Sequence, residues 1–215
     1  MPVRRIPKNY RNVTGIAAET KAIGQAQFES TLERDFIALL EFSPDVSRYE
    51  VQPVTIGWKD DQGKLRSYTP DVRVEFREAL GLEPWLCEVK YRSGIKKDWA
   101  VLRPKFRRGF RYARDKGWRF RLVSEVEIRT PLLGNARFLL PYRQRAVPQP
   151  SIDAVLDALR TLGRTTPEGL LNSLSCDPWE QAEWLPVIWH LVACLRIGAD
   201  LDMELNMSSP LWSLP

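Results

Sequence analysis

The sequence predicts an α/β fold: a core in the order helix, three strands, helix, strand, followed by a smaller helical domain. Three observations predict it. Apolar residues recur at helical spacing in residues 28–42, and three segments with β-type alternation follow, the last at 85–91. A second helical pattern at 96–117 precedes a strand at 118–123, and the patterns beyond residue 150 are helical. With 215 residues, 44% of them hydrophobic, the chain can form one domain of ordinary size and a smaller one.

The net charge and the numbers of cysteine and histidine residues limit the classes of function that the chain can have. The chain is basic, with a net charge of +5 and a pI of about 9.2, which is compatible with nucleic-acid binding. Its three cysteines lack metal-ligand spacing, and their odd number argues against a disulfide framework, so a reduced, cytosolic setting is expected. The single histidine, His190, excludes a His-rich zinc site. No glycine-rich nucleotide-binding motif is present, and the longest apolar run, residues 184–195, is too short to span a membrane.

Residues 1–25 form a basic N-terminal arm with little periodicity. Its basic residues are Arg4, Arg5, Lys8, Arg11 and Lys21. Two interpretations stay open: a disordered tail, or a segment that docks on phosphates. The larger domain is predicted to cover residues 26–141.

The first predicted helix carries Glu33 beside its apolar face. Ser30 and Glu33 fit a capping box, in which Glu33 reaches back to the start of the helix. However, the apolar period already includes Phe28, so the helix is predicted to begin before Ser30. Glu33 would then be a carboxylate at the edge of the core, which favours a ligand role.

Three strands are predicted next. Residues 48–58 and 67–77 form the first two, joined by a turn at 59–64. Asp71 follows Pro70 where the second alternation begins, which places it at the mouth of a strand.

The third strand, residues 85–91, carries Glu88 and Lys90 on one face. Asp71 and Glu88 can therefore lie side by side on neighbouring strands. Carboxylates that converge on one point need a cation between them, and oxygen ligands suit Mg²⁺ or Mn²⁺. A neighbouring lysine can orient a water or stabilise charge on a phosphoryl group. The alternatives are simple turn chemistry at Asp71 and a plain salt bridge between Glu88 and Lys90.

The helical pattern at 96–117 includes basic residues that are predicted to contact DNA. It contains Pro104, where the helix is predicted to restart. An arginine stripe with almost no acidic counterparts favours a phosphate-facing role over a merely solvated face. The residues assigned to DNA are Lys96, Lys97, Arg103, Arg107 and Arg111. Residues 131–140 fit a short helix or a strand equally well.

Residues 142–150 are predicted to be a linker, and residues 151–215 a small winged-helix-like domain of three helices and a hairpin. A DNA-reading helix would show polar residues. The third helix is apolar instead, so this domain is predicted to contact protein more than bases. The apolar residues are Trp184, Val187, Ile188, Trp189, Leu191, Val192 and Leu195.

The motif Pro70-Asp71…Glu88-Val89-Lys90 resembles the P-D…(D/E)-x-K signature of restriction-endonuclease-like nucleases. More narrowly, the stretches from Phe28 to Asp35, from Tyr68 to Asp71 and from Cys87 to Lys90 resemble the TnsA family, the endonuclease subunits of Tn7-type transposases. The resemblance is specific over residues 25–125 and looser in the C-terminal part. It implies that Glu33, Asp71 and Glu88, together with Val89, form the metal site and that Lys90 is the catalytic lysine.

The resemblance further implies an Mg²⁺- or Mn²⁺-dependent endonuclease of the prokaryotic cytoplasm, with no membrane association. It would cut the 5′, non-transferred strand at transposon ends, while a TnsB-type transposase cuts the 3′ ends and a TnsC-type ATPase binds the C-terminal domain. Two other hypotheses stay open. One is a stand-alone restriction or repair nuclease of the same fold. The other is a non-catalytic DNA-binding scaffold.

Overall fold

A computed structural model describes residues 15–16 and 20–214 of the chain. The structure divides into two compact units, Met1–Arg129 and Thr130–Pro215. Most of the predicted basic arm, residues 1–25, lies outside the described residues.

The first unit is a mixed α/β domain. Its strands are β1 (Gly15–Ile16), β2 (Gln27–Phe28), β3 (Val46–Val51), β4 (Ile56–Lys59), β5 (Leu65–Tyr68), β6 (Val72–Phe76), β7 (Trp85–Val89) and β8 (Arg119–Val123). Its helices are α1 (Thr31–Phe42), α2 (Arg92–Lys97), α3 (Trp99–Asp115) and α4 (Glu125–Ile128), with a 3₁₀ turn at Glu78–Leu80.

A four-stranded sheet in the order β3-β6-β7-β8 forms the centre of this unit. Strands β3, β6 and β7 are antiparallel neighbours, whereas β8 runs parallel to β7 after a crossover through α2 and α3. Leu86, Cys87, Glu88 and Val89 of β7 are all buried, so both faces of this strand are covered. Helix α1 lies against β3 and β7, and α3 lies against β7 and β8. The predicted order of the core elements is therefore present.

Two of the predicted strands are each divided in the structure. The segment 48–58 contains β3 and β4, which belong to different sheets, and 67–77 contains the end of β5 and all of β6. The break after β3 lies at Gln52, whose backbone has a φ of 50°, and is followed by Pro53. The hairpin β4–β5 thus stands outside the central sheet.

Two helix predictions are also corrected. Helix α1 begins at Thr31 with Ser30 as its N-cap, because Phe28 belongs to strand β2 and not to the helix. Helix α3 does not restart at Pro104 but runs through it from Trp99 to Asp115, after the separate short helix α2.

The second unit combines four helices with a small antiparallel sheet. Its helices are α5 (Pro131–Arg143), α6 (Gln149–Leu162), α7 (Pro167–Leu174) and α8 (Pro178–Ala193), and its strands are β9 (Arg164–Thr165), β10 (Ile197–Ala199) and β11 (Leu211–Ser213). The strand order is β10-β11-β9. Thr166 and Asp177 cap α7 and α8, with proline in the first turn of each helix, as the sequence predicts.

The structure places the domain boundary before the predicted linker at 142–150. The undecided segment 131–140 is part of helix α5, which packs against α8 inside the second unit. The described residues contain no helix that is long and apolar enough to cross a membrane.

Most of the apolar residues of α8 that suggested a protein-contact role are buried, and the protein-contact role of this domain stays a prediction. Val187, Ile188, Trp189, Leu191 and Val192 are buried, so they form the core of the second unit. Trp179 in the first turn is the exposed tryptophan of this helix, at 84% relative exposure.

Candidate active site

Asp71 and Glu88 lie side by side at one end of the central sheet. Asp71 directly precedes β6, and its backbone N–H donates to the carbonyl of Cys87 at 3.0 Å. Its carboxylate Oδ2 accepts the backbone N–H of Val89 at 2.6 Å. Pairing between β6 and β7 thus holds Asp71 next to the segment that carries Glu88 and Lys90. This neighbourhood was predicted from strand order alone.

Glu33 caps helix α1 and also faces this cluster. Its Oε1 accepts the hydroxyl of Ser30 at 2.8 Å, and its Oε2 accepts the backbone N–H of Glu29 at 2.8 Å. The Ser30 hydroxyl in turn accepts the backbone N–H of Glu33 at 3.2 Å. Ser30 therefore caps α1 as predicted, but Glu33 binds the backbone N–H of Glu29 and not that of Ser30, so the capping box is only partly formed. Glu33 is also close enough to raise the pKa values of Asp71 and Glu88 by repulsion.

All three carboxyl groups have pKa values above their usual range, and burial is the main cause in each case. For Asp71 the pKa is raised strongly, with further contributions from the charges of Glu88 and Glu33. The charge of the Lys90 ammonium opposes the rise in all three pKa values.

The chemistry of these side chains fits a hard divalent cation, but their present orientations do not yet form its site. Three buried carboxylates and one ammonium leave uncompensated negative charge, and oxygen-only donors suit Mg²⁺ or Mn²⁺. Among the described residues, however, no three His, Cys, Asp or Glu side chains are arranged to hold a metal ion. Glu33 is turned toward Ser30 and Glu29, and Glu88 toward Tyr68. The metal set Glu33, Asp71, Glu88 and Val89 stays a prediction.

Tyr68 is a site residue that the sequence analysis did not identify. It ends strand β5, is only 7% exposed, and donates its phenolic hydrogen to Oε2 of Glu88 at 2.6 Å. Gly109 of α3 lies against its ring: a Cβ there would stand 3.0 Å from Cε1 of Tyr68 and 2.6 Å from Cε2 of Phe120. A glycine at this helix position therefore allows α3 to approach the tyrosine closely.

Lys105 is a second missed residue. It is half-buried on α3, and its charge lowers the pKa of Glu88. Nothing in the sequence distinguishes Lys105 from the arginines around it, so its position beside the site could not be predicted. At 3.6 residues per turn, a step of two residues rotates by about 200°, so Lys105 projects from the opposite side of α3 to Arg103 and Arg107.

The residues predicted to bind DNA lie on the surface of α2 and α3. These are Lys96, Lys97, Arg103, Arg107 and Arg111, all of them exposed. In the part of the chain that the structure describes, none of the three arginines forms an ion pair. The three arginines border a shallow cavity of about 610 Å³ that is also lined by Trp99, Phe106, Phe110, Phe120 and Leu122. The DNA role of these residues stays a prediction.

A mixed sheet that brings acidic side chains and a lysine together at its strand ends is consistent with a nuclease-like α/β core. The chain belongs to the TnsA endonuclease family. The family model described as TnsA-like endonuclease N terminal matches residues 43–125, and that described as TnsA endonuclease C terminal matches residues 127–201. The first match includes Asp71, Glu88 and Lys90, whereas Glu33 precedes it. No curated protein matches the chain in a sequence search.

The two matches meet close to the boundary between the two structural units. Membership of this family implies an endonuclease subunit that works in a Tn7 transposition complex, with DNA and other Tns proteins.

Proposed function

We propose that this protein is the divalent-metal-dependent subunit that cuts the 5′, non-transferred strand at the ends of a transposon. The observation that carries the proposal is the gathering of Glu33, Asp71, Glu88 and Lys90 at one end of the sheet, where burial and mutual repulsion raise the carboxyl pKa values. Such a cluster is costly unless it serves a cation.

In the proposed mechanism the carboxylates hold the ion, and Lys90 assists hydrolysis of the phosphodiester. Asp71, Glu88, Glu33 and Val89 would hold the ion. Bound Mg²⁺ or Mn²⁺ supplies Lewis-acid stabilisation and lowers the pKa of water. The ammonium of Lys90 orients the attacking water and stabilises negative charge on the phosphoryl oxygens. Lys96 and Lys97 follow the catalytic strand closely and contact the DNA backbone.

The partners in this proposal follow from the family. A TnsB-type transposase cuts the 3′ ends, and a TnsC-type ATPase binds the second unit. The order helix, strand, two helices and two strands from α6 to β11 supports a winged-helix-like architecture for that unit. The protein acts on DNA in the prokaryotic cytoplasm.

Cleavage of a strand-specifically labelled transposon-end duplex tests the proposal. The protein is incubated with Mg²⁺ or Mn²⁺, alone and with its transposase partner. We expect a metal-dependent cut on the non-transferred strand when the partner is present. Asp71→Asn and Lys90→Ala should each reduce the rate by at least about 100-fold.

Glu83→Gln and Lys116→Ala are matched controls. Both residues are exposed and precede the first residues of β7 and β8, at the other end of these parallel strands from the cluster. They should leave the rate unchanged. Cutting without the partner would point to a stand-alone nuclease. Absence of both cutting and Mn²⁺ binding would leave a non-catalytic scaffold.

A further inference from the structure

Gln52 has an unusual combination of backbone conformation and burial. It directly follows strand β3, its φ is 50°, and it is only 7% exposed. A residue with a side chain rarely adopts this left-handed conformation, which is energetically unfavourable. Such positions persist only where the surrounding structure fixes them, and they concentrate at functional sites.

The hydrogen bonds of Gln52 lead to both of the segments that carry Asp71 and Glu33. Its backbone N–H donates to the carbonyl oxygen of Asp71 at 2.7 Å. Its side-chain Nε2 donates to Oε1 of Glu29 at 3.2 Å. The backbone N–H of Glu29 in turn donates to Oε2 of Glu33 at 2.8 Å. One residue outside the acidic cluster thus connects the backbone of Asp71 with the side chain of Glu29, whose backbone N–H binds the carboxylate of Glu33.

The side chain of Gln52 is not explained by stability. Its Oε1 is buried and has no hydrogen-bond partner among the described residues. A buried polar atom without a partner has a free-energy cost in the folded state. An apolar side chain of similar size would avoid that cost, so the amide must be useful in another way.

We propose that Gln52 is a positioning residue for the nuclease reaction: its backbone holds Asp71, and its amide holds Glu29 and, through it, Glu33. This proposal rests on the proposed function. The left-handed backbone directs the N–H toward Asp71, while the length of the glutamine side chain reaches Glu29. Gln52 touches neither the phosphodiester nor the ion in this scheme, and it acts only through the carboxylates.

Two substitutions separate positioning from stability. Gln52→Met keeps the side-chain length but removes the amide and its unpartnered oxygen. Gln52→Asn keeps the amide but is one methylene too short, and asparagine tolerates a left-handed backbone well. Both keep the backbone N–H that binds Asp71. We therefore expect Gln52→Met, which loses the unpartnered oxygen, to have an unfolding midpoint equal to or above that of the wild type. Both variants should bind Mn²⁺ about tenfold more weakly by calorimetry.

Gln62→Met is the matched control, because Gln62 is exposed in the turn between β4 and β5. It should bind Mn²⁺ like the wild type. Mn²⁺ affinities of both Gln52 variants within twofold of the wild type would overturn the proposal. A loss of affinity that merely follows a loss of folded protein would do the same.

Metal-free crystal structures of the wild type and Gln52→Met give a result that does not depend on the proposed function. We expect the Glu29 carboxylate to leave its position and the Glu33–Asp71 separation to change by more than about 0.5 Å, the tolerance of a functional geometry. An unchanged separation would overturn the positioning role, whether or not the wild type binds Mn²⁺. A changed separation in a protein that binds no Mn²⁺ would refute the nuclease assignment alone.

Discussion

The phenolic hydroxyl of Tyr68 donates a 2.6 Å hydrogen bond to Oε2 of Glu88. The contact is buried and joins the end of hairpin β4–β5 to the Glu88 carboxylate of the acidic cluster. A hydrogen bond to a charged carboxylate is among the stronger ones in proteins. Tyr68 therefore sets the orientation of Glu88, and the pairing yields the first prediction.

Tyr68→Phe keeps the packed ring and removes this hydrogen bond. We expect a loss of about 1–3 kcal/mol in the free energy of unfolding at neutral pH, since a buried carboxylate oxygen loses its donor. Mn²⁺ binding should weaken about tenfold, as is typical when a partner of a metal ligand is removed. Denaturant unfolding and calorimetry measure the two effects. Tyr112→Phe, on a ring that packs against Trp118, should change neither; equal Mn²⁺ affinity in Tyr68→Phe and the wild type would contradict the prediction.

Gly109→Ala should disturb the same contact from the opposite side. The added Cβ would stand 2.6 Å from Phe120 and 3.0 Å from Tyr68, so α3 or the rings must shift. We expect a destabilisation of about 1–3 kcal/mol, as for other overpacked cores. The control is Gly134→Ala in helix α5, where a Cβ meets nothing within 4 Å. That change should stabilise its unit by about 0.5–1 kcal/mol. Thermal or denaturant unfolding that shows the same sign for both variants would refute this contrast.

Ser30 and Glu33 allow the capping role to be separated from the site role. Ser30→Ala removes the hydroxyl that exchanges hydrogen bonds with Glu33, so α1 should lose about 0.5–2 kcal/mol. Its Mn²⁺ affinity should fall about tenfold, as in Tyr68→Phe, because Glu33 loses a hydrogen-bond partner while all carboxylates remain. Glu33→Gln should lose Mn²⁺ binding altogether, whereas the metal-free protein should be no less stable at pH 8, because the pKa of Glu33 is raised by burial in the folded state. If the two variants bind Mn²⁺ equally well, Glu33 is only a helix cap.

Asp71→Asn should raise the stability of the metal-free protein at pH 8. The pKa of Asp71 is raised in the folded state, so folding favours its protonated form. The wild type therefore loses stability as the pH rises from the usual value of 3.8 through the raised pKa. The substituted amide carries no charge and escapes this loss, which should raise the melting temperature by a few degrees at pH 8 and by nothing near pH 4.

Asp60→Asn is the control with the opposite sign. The pKa of Asp60 is lowered, chiefly by its hydrogen bond to Arg66, so its charged form favours the folded state. That stabilisation is present above the usual pKa of 3.8 and is lost as the pH falls. Asp60→Asn should therefore be less stable than the wild type at pH 8, and the difference should close at low pH. Melting curves across pH that give both variants the same sign would contradict the assigned pKa directions.

The central strands and helices could be predicted because burial imposes a simple period on each of them. Strand order along the chain was enough to place Asp71 beside Glu88. The start of α1 was misplaced since Phe28 is buried as part of a strand, and its apolar character mimicked another helical turn. Residues 48–58 are divided into two strands by the left-handed backbone conformation of Gln52. The sequence does not predict that conformation, because glutamine rarely adopts it.

The remaining features depend on contacts between elements distant in sequence. Tyr68, Lys105 and Gln52 gain their roles only when α3, β3 and the hairpin meet the sheet. The sequence pattern of helix α8 could not be interpreted uniquely for another reason. A helix that is apolar on most sides can be a buried core or a binding surface, and only the fold shows that α8 is core.

Helix α3 packs against Tyr68 of the candidate site on one side and is exposed to solvent on the other. Gly109 rests on the tyrosine that holds Glu88, while Arg103 and Arg107 lie exposed on the far flank. DNA or a partner protein that bound those arginines would therefore contact the same 17-residue helix that packs against Tyr68. Binding on one flank of α3 would in this way reach the orientation of Glu88 on the other, without any change in the acidic residues themselves.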